Sequence, residues 1–310
     1  MKIQKKHLLI PAVAAAPFLA LIATVLQCIS LFTEFDAGRG YFADHAPVHL
    51  AVAVVLFVAL VAFAVFAILL RRELSTPSYA GTLSVLFSAG LSAVSLIVYA
   101  IFTVLAFPQA GSIVGTLMLI AAILACAAAV YFAFFLFPSS PQTTARGMLG
   151  LTFAFFSLLC AFILYFDMSA QMNAPAKLLS LLTFSLLTCY ALGECRGLLG
   201  RQSPALQYLL TSLCLVLCLT SSVPNILYTL VRGKELALST VYDFVLLAFG
   251  LYLFSRLLQM LPRELPVTHP LVRVFLRDDE DEDDLEDDEE EEDIDEGINE
   301  DEDEEETETE

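Results

Sequence analysis

Residues 48–70 read VHLAVAVVLFVALVAFAVFAILL, and this stretch decides the fold. Its 23 residues include one polar side chain, His49, and no formal charge. A helix of that length rises about 34 Å, against about 30 Å for the hydrocarbon core of a bilayer. A soluble helix would carry a polar face, and a barrel strand would alternate. Neither pattern is present. Inside lipid every backbone polar group must be bonded within its own segment, so the stretch is a transmembrane helix.

Seven further runs share this character. The reading outward from 48–70 gives spans at 8–32, 48–70, 80–106, 112–137, 148–166, 176–195, 205–231 and 238–261. Hydrophobic residues are 58% of the chain, above the roughly 45–50% of soluble domains, although that average includes a very polar C-terminus. The expected fold class is therefore an all-α polytopic membrane protein of eight helices. The N-terminus, with Lys2, Lys5 and Lys6, resembles a signal-peptide n-region. Only about nine apolar residues precede Ala16, Pro17 would follow a cut there, and the apolar run continues to Phe32. A retained first helix is the expectation.

The C-terminus is the opposite of the spans. Residues 278–310 hold 26 Asp or Glu and no Lys, Arg or His, whereas residues 1–277 hold all 16 Lys and Arg against 9 acids. The two parts are thus −26 and +7, which gives the net −19. A run of like charge buries no apolar surface, so 278–310 is expected to be a disordered, water-solvated tail. Residues 262–277, with three Arg and three Pro, form a juxtamembrane segment suited to anionic headgroups.

Orientation follows from the basic residues. With the N-terminus cytoplasmic, twelve Lys and Arg fall on the cytoplasmic side: Lys2, Lys5, Lys6, Arg71, Arg72, Arg146, Arg196, Arg201, Arg256, Arg263, Arg273 and Arg277. Only Arg39, Lys177, Arg232 and Lys234 fall outside. The positive-inside rule then places both termini in the cytoplasm of a cell-membrane protein.

Thr76-Pro77, Ser140-Pro141 and Ser203-Pro204 recur at intervals of 64 and 63 residues, each as a capped start of an odd-numbered helix. The spacing suits four helical hairpins, or two four-helix halves related by duplication. Equal hairpin lengths produce the same spacing without duplication.

The chain carries few marks of chemistry. Intramembrane charges are the usual sign of ion and proton pathways. Asp167, Lys177, Glu194, Arg232 and Asp243 stand near span ends, and Arg256, about one turn from its end, is expected to snorkel to water. No paired Asp, Ser–His pair or His-Glu-x-x-His motif is present at one depth. Glu34, Asp36, Asp44, His45 and His49 share one loop region, but Pro47 is expected to start a helix and so remove the i,i+4 relation of the two histidines. The seven cysteines lie in or beside spans and read as packing residues, with no zinc spacing and no disulfide framework. No metal, cofactor, catalytic residue or nucleic-acid partner is expected.

One pattern suggests a site. Span three carries Ser84, Ser88, Ser92, Ser95, Tyr99 and Thr103 on one helical face. Span seven carries Thr211, Cys214, Cys218, Ser222, Asn225 and Thr229 in the same way. The functional reading places the two stripes opposite each other across a polar pocket. The plainer reading is membrane packing, in which small and hydroxylated residues let helices approach. Spans two and four have almost no polar residues and read as lipid-facing, with Ala121, Ala125, Ala129 and Ala133 as packing positions. Ser221-Ser222-Val223-Pro224-Asn225 reads as a kink or end near the outer side of span seven.

These residues point first to a non-enzymatic accessory or anchoring protein in the bilayer, whose acidic tail engages a basic cytoplasmic protein. The alternative is a permease for a neutral or amphipathic solute, built on the two stripes.

Overall fold

A computed structural model describes residues 2–36, 41–42, 46–72, 74, 82–106, 113–137, 144–166, 175–200, 203–233 and 240–261. It contains eight long helices: α1 (Lys2–Thr33), α2 (Pro47–Leu69), α3 (Leu83–Ala106), α4 (Ile113–Ala133), α5 (Thr144–Phe166), α6 (Pro175–Leu198), α7 (Pro204–Arg232) and α8 (Thr240–Leu258). A 3-10 turn, Phe134–Leu136, extends α4. All eight are long and apolar enough to cross a membrane, at the positions read from the sequence. The expectations for 262–277 and 278–310 lie outside the described residues, as do those for Asp44 and His45.

Each sequential pair packs as a hairpin: α1 on α2, α3 on α4, α5 on α6, α7 on α8. The hairpins then assemble into a closed ring. Each helix from α3 to α8 packs on the next, and α8 packs back on α3. The α1–α2 hairpin lies outside this ring, against α7. Because α7 has ring partners on one side and α1 on the other, it is the most buried span, at 72% of its core window, and α2 the least, at 22%. The lipid-facing expectation therefore holds for span two.

It does not hold for span four. Ala121, Ala125, Ala129, Tyr131 and Phe132 of α4 are buried between α3 and α5, while Ile120, Ile123 and Val130 face outward. An apolar side chain costs nothing against lipid or against protein, so the absence of polar residues cannot tell an outer helix from a ring helix.

Aromatic side chains fill the ring across its width. Phe153 of α5 meets Phe249 of α8 at 4.7 Å between centroids. Phe132 of α4 contacts Tyr252 of α8 at 5.0 Å, Tyr99 of α3 contacts Phe156 of α5 at 5.3 Å, and Phe184 of α6 contacts Tyr242 of α8 at 6.2 Å. Such edge-on pairs hold helices at a wider separation than small residues do, and each contributes about 0.5–1.5 kcal/mol beyond its burial.

Helix ends follow local chemistry. Pro47 stands at the start of α2, as expected, but the cap comes from a distance: Glu34 accepts hydrogen bonds from the backbone N–H groups of Val48 and His49, both at 2.9 Å. Before it lies a two-strand ribbon, β1 (Phe35–Asp36) with β2 (Tyr41–Phe42), whose Phe35 packs edge-on against Tyr228 of α7. Ser203-Pro204 does begin α7, although Ser203 makes no side-chain cap bond. Thr76-Pro77 lies outside the described residues, and α3 runs from Leu83. Ser140-Pro141 lies outside the described residues.

Pro224 ends nothing: α7 continues through it to Arg232 and closes on Gly233 in the left-handed region (φ 66°). Pro removes one backbone donor, but with no water to compete, neighbouring helices keep such a helix intact. Pro11 and Pro17 lie within α1 in the same way, and the Tyr208 hydroxyl donates to the Ala12 carbonyl between them at 2.8 Å.

Candidate functional site: a charged cluster at one end of the ring

α6 and α8 each carry a tyrosine and a charged residue one turn apart, Tyr190 with Glu194 and Tyr252 with Arg256. Residues spaced i,i+4 share a face, and both faces turn into the ring at the end where α4, α6 and α8 finish. Glu194 and Arg256 are each 1% exposed. Glu194 Oε1 accepts from the Tyr252 hydroxyl at 2.7 Å and from Arg256 Nε at 3.1 Å, with Arg256 Nη2 at 3.0 Å. Arg256 Nη1 donates to Gln259 Oε1 at 2.6 Å, and Gln259 Nε2 donates to Thr82 Oγ1 at 3.3 Å. The Ser255 hydroxyl donates to the Ser84 carbonyl at 3.2 Å. A polar network thus runs from α6 through α8 to the start of α3.

Arg256 therefore does not snorkel to water. A buried guanidinium costs several kcal/mol unless paired, and Glu194 supplies the pairing. The two residues stand near their span ends, as read, but the neighbouring helices bury them there.

A second guanidinium joins this end from α5. Arg146, in the first turn of α5, places Cζ 4.4 Å from the centroid of the Phe135 ring, and Arg256 Cζ lies 5.8 Å from the same ring. Arg146 is 5% exposed, and its Nε and Nη2 have no hydrogen-bond partner among the described residues. The three charged side chains sum to +1. The helices approach closely here: a Cβ on Gly150 of α5 would lie 2.8 Å from Cys195 Sγ and 3.3 Å from Tyr131 Cε2.

The opposite end holds a second polar group. Asn225 Nδ2 donates to Asp243 Oδ1 at 3.2 Å, the Ser180 and Ser221 hydroxyls are 3.1 Å apart, and the Tyr99 and Tyr242 hydroxyls are 3.2 Å apart. Lys177 is buried at this end. Aromatic packing thus occupies the middle of the ring, with polar clusters towards both ends.

The two polar stripes are not brought face to face. α8 stands between α3 and α7 in the ring, and each stripe meets α8. On α3, Ser92 donates to the Ala248 carbonyl at 3.3 Å and Tyr99 reaches Tyr242. Ser88 bonds to the Val85 carbonyl and Ser95 to that of Ser92, while Thr103 is buried. On α7, Thr211 and Ser222 bond to the carbonyls of Gln207 and Cys218, and Asn225 reaches Asp243. Cys214 and Cys218 are fully buried, and Cys218 Cβ is 3.5 Å from where a Cβ on Gly250 would stand. Most of these hydroxyls return to their own helix. Ser95 lines an open apolar groove of about 380 Å³ between α3 and α8, with Leu91, Phe102 and Phe244.

Two of the ligand-type residues near α2 are described in other contacts. Glu34 caps the helix, and the His49 ring stacks on Phe42 at 3.9 Å. All seven cysteines are free thiols.

Sequence reasoning passed over Glu194 with Arg256. The signal was present: opposite charges, one turn inside the same ends of two apolar runs, each with a tyrosine four residues before it. Compared with protein-family models, curated proteins and solved structures, the chain matches none.

Proposed function

We propose that this chain is a non-enzymatic accessory or anchoring protein of the cell membrane, with both termini cytoplasmic and its acidic segment 278–310 as the part that engages a basic partner. The observation that carries this reading is the division of labour in the chain. Aromatic side chains pack the ring across its width, while 26 acidic residues are concentrated in 33 positions beyond the last span. Orientation rests on the twelve basic residues assigned to one side against four on the other.

Attraction between such a segment and a basic surface is screened over about 8–10 Å at physiological salt. Partner capture by the full chain should therefore weaken steeply between low and physiological salt, and should be lost without 278–310. Capture that is indifferent to salt, or unchanged by the deletion, overturns the reading. The deletion should leave thermal stability in detergent unchanged, because the segment has no apolar stripe to add to a core.

A permease for a neutral or amphipathic solute is the second reading. It draws support from the polar clusters towards both ends of the ring and from the α3 stripe, which banks on α8 through Ser92 and Tyr99.

A further inference from the structure

We propose that Arg146 is the anchor of a phosphate-binding site at the end of the ring where α4, α6 and α8 finish. The argument begins with the two arginines of that end. A guanidinium presents its Nε and Nη2 hydrogens along one edge, spaced to meet two oxygens of an oxyanion. On Arg256 this edge meets Glu194, with Nε at 3.1 Å and Nη2 at 3.0 Å from Oε1. On Arg146 the same two nitrogens are buried and have no hydrogen-bond partner among the described residues. The residue is 5% exposed, and its guanidinium is stacked on Phe135, so the edge does not reach water.

Buried polar groups of folded proteins are overwhelmingly paired, and a buried cation more strictly so. Among the described residues at this end, one carboxylate, Glu194, stands with two guanidiniums that share the Phe135 ring, and these three sum to +1. An oxyanion along the Arg146 edge satisfies both orphan donors and neutralises the excess.

Position selects phosphate. Arg146 stands in the first turn of α5, which runs Thr144–Phe166, so in a bilayer it lies towards the water-facing end of its span, near the depth of lipid phosphates. At this end Met148 of α5 and Leu199, which approaches Gly147, are 66% and 55% exposed, an apolar surface suited to acyl chains. The shared chemistry is a phosphate oxyanion, supplied by a phospholipid headgroup or by free phosphate.

The test uses the full chain, purified in a neutral detergent and stripped of lipid. Unfolding is followed with a thiol-reactive dye, since Cys160, Cys195, Cys214 and Cys218 are free and buried. The additions are phosphatidylglycerol, a neutral glycolipid without phosphate, and inorganic phosphate. Phosphatidylglycerol at about a hundredfold excess over Kd should raise Tm by about 5–10 °C. The glycolipid should not. A rise with inorganic phosphate alone assigns the site to a soluble ligand, and a rise only with the phospholipid assigns it to the headgroup.

Arg146→Met should abolish the rise. Arg146→Lys, which keeps the charge and loses the two-pronged edge, should lose most of it and provides a folded variant if the Met chain does not purify. Arg71→Gln, at an exposed arginine, should keep the full rise. The proposal is overturned if no phosphate-bearing addition stabilises the protein, if the glycolipid acts equally, or if Arg146→Lys responds as fully as the unaltered chain.

Discussion

Replacing Glu194 by Gln tests whether the ion pair is buried in the sense the distances require. The substitution keeps the shape of the side chain and an oxygen for the Tyr252 hydroxyl, 2.7 Å away, and removes only the charge. Arg256, 1% exposed, would then keep Gln259 but lose its counter-charge. Breaking a buried pair from one side costs about 3–5 kcal/mol, because the remaining charge stays desolvated. At about 2–4 °C per kcal/mol for a domain of this size, Tm should fall by roughly 6–20 °C. Arg256→Met should cost about as much for the mirror reason. The double variant places two uncharged side chains in the same space, and replacing a buried pair together is often close to neutral. The cycle should therefore show a coupling of about 3 kcal/mol or more, well outside the roughly 0.3–0.5 kcal/mol within which independent sites add. The assay is thermal unfolding in detergent, read by exposure of the buried cysteines. Single losses below about 1 kcal/mol, the size of a solvent-exposed pair, would refute the reasoning and mean that Arg256 reaches water after all.

Three further expectations rest on other parts of the molecule. Gly150→Ala should lower stability by about 1–3 kcal/mol, since its Cβ would meet Cys195 Sγ at 2.8 Å, and an unchanged Tm would show that α5 and α6 are less closely packed than the distances say. Ser92→Leu, and more mildly Ser88→Leu, should impair folding or activity more than Leu56→Ser in α2, because Ser92 bonds across to α8; equal tolerance at the three sites would place the α3 stripe against lipid. A reporter fused after Arg277 should be active only in the cytoplasm, and labelling of the C-terminus from outside intact cells would reverse the orientation.

The eight spans were legible because the bilayer imposes a length and a composition on each one separately. Residues 48–70 need no partner to be read as a helix, and α2 runs Pro47–Leu69. The same holds for the start of α7 at Pro204, where the fixed φ of proline suits the first helical turn. What the sequence did not contain was the order in which the helices meet. Lipid and protein are equally apolar, so an unbroken apolar run, such as α4, looks the same on the outside of a bundle as inside a ring. The polar stripes of α3 and α7 were real as patterns, but a stripe gives the direction of a face and not its partner. Assembly turned both towards α8. Arg256 makes the distinction most sharply. One turn from a span end, a guanidinium can rise to water or turn inward, and the chain around it reads alike in both cases. Only the approach of α6, carrying Glu194 at the same depth, makes the inward position the cheaper one.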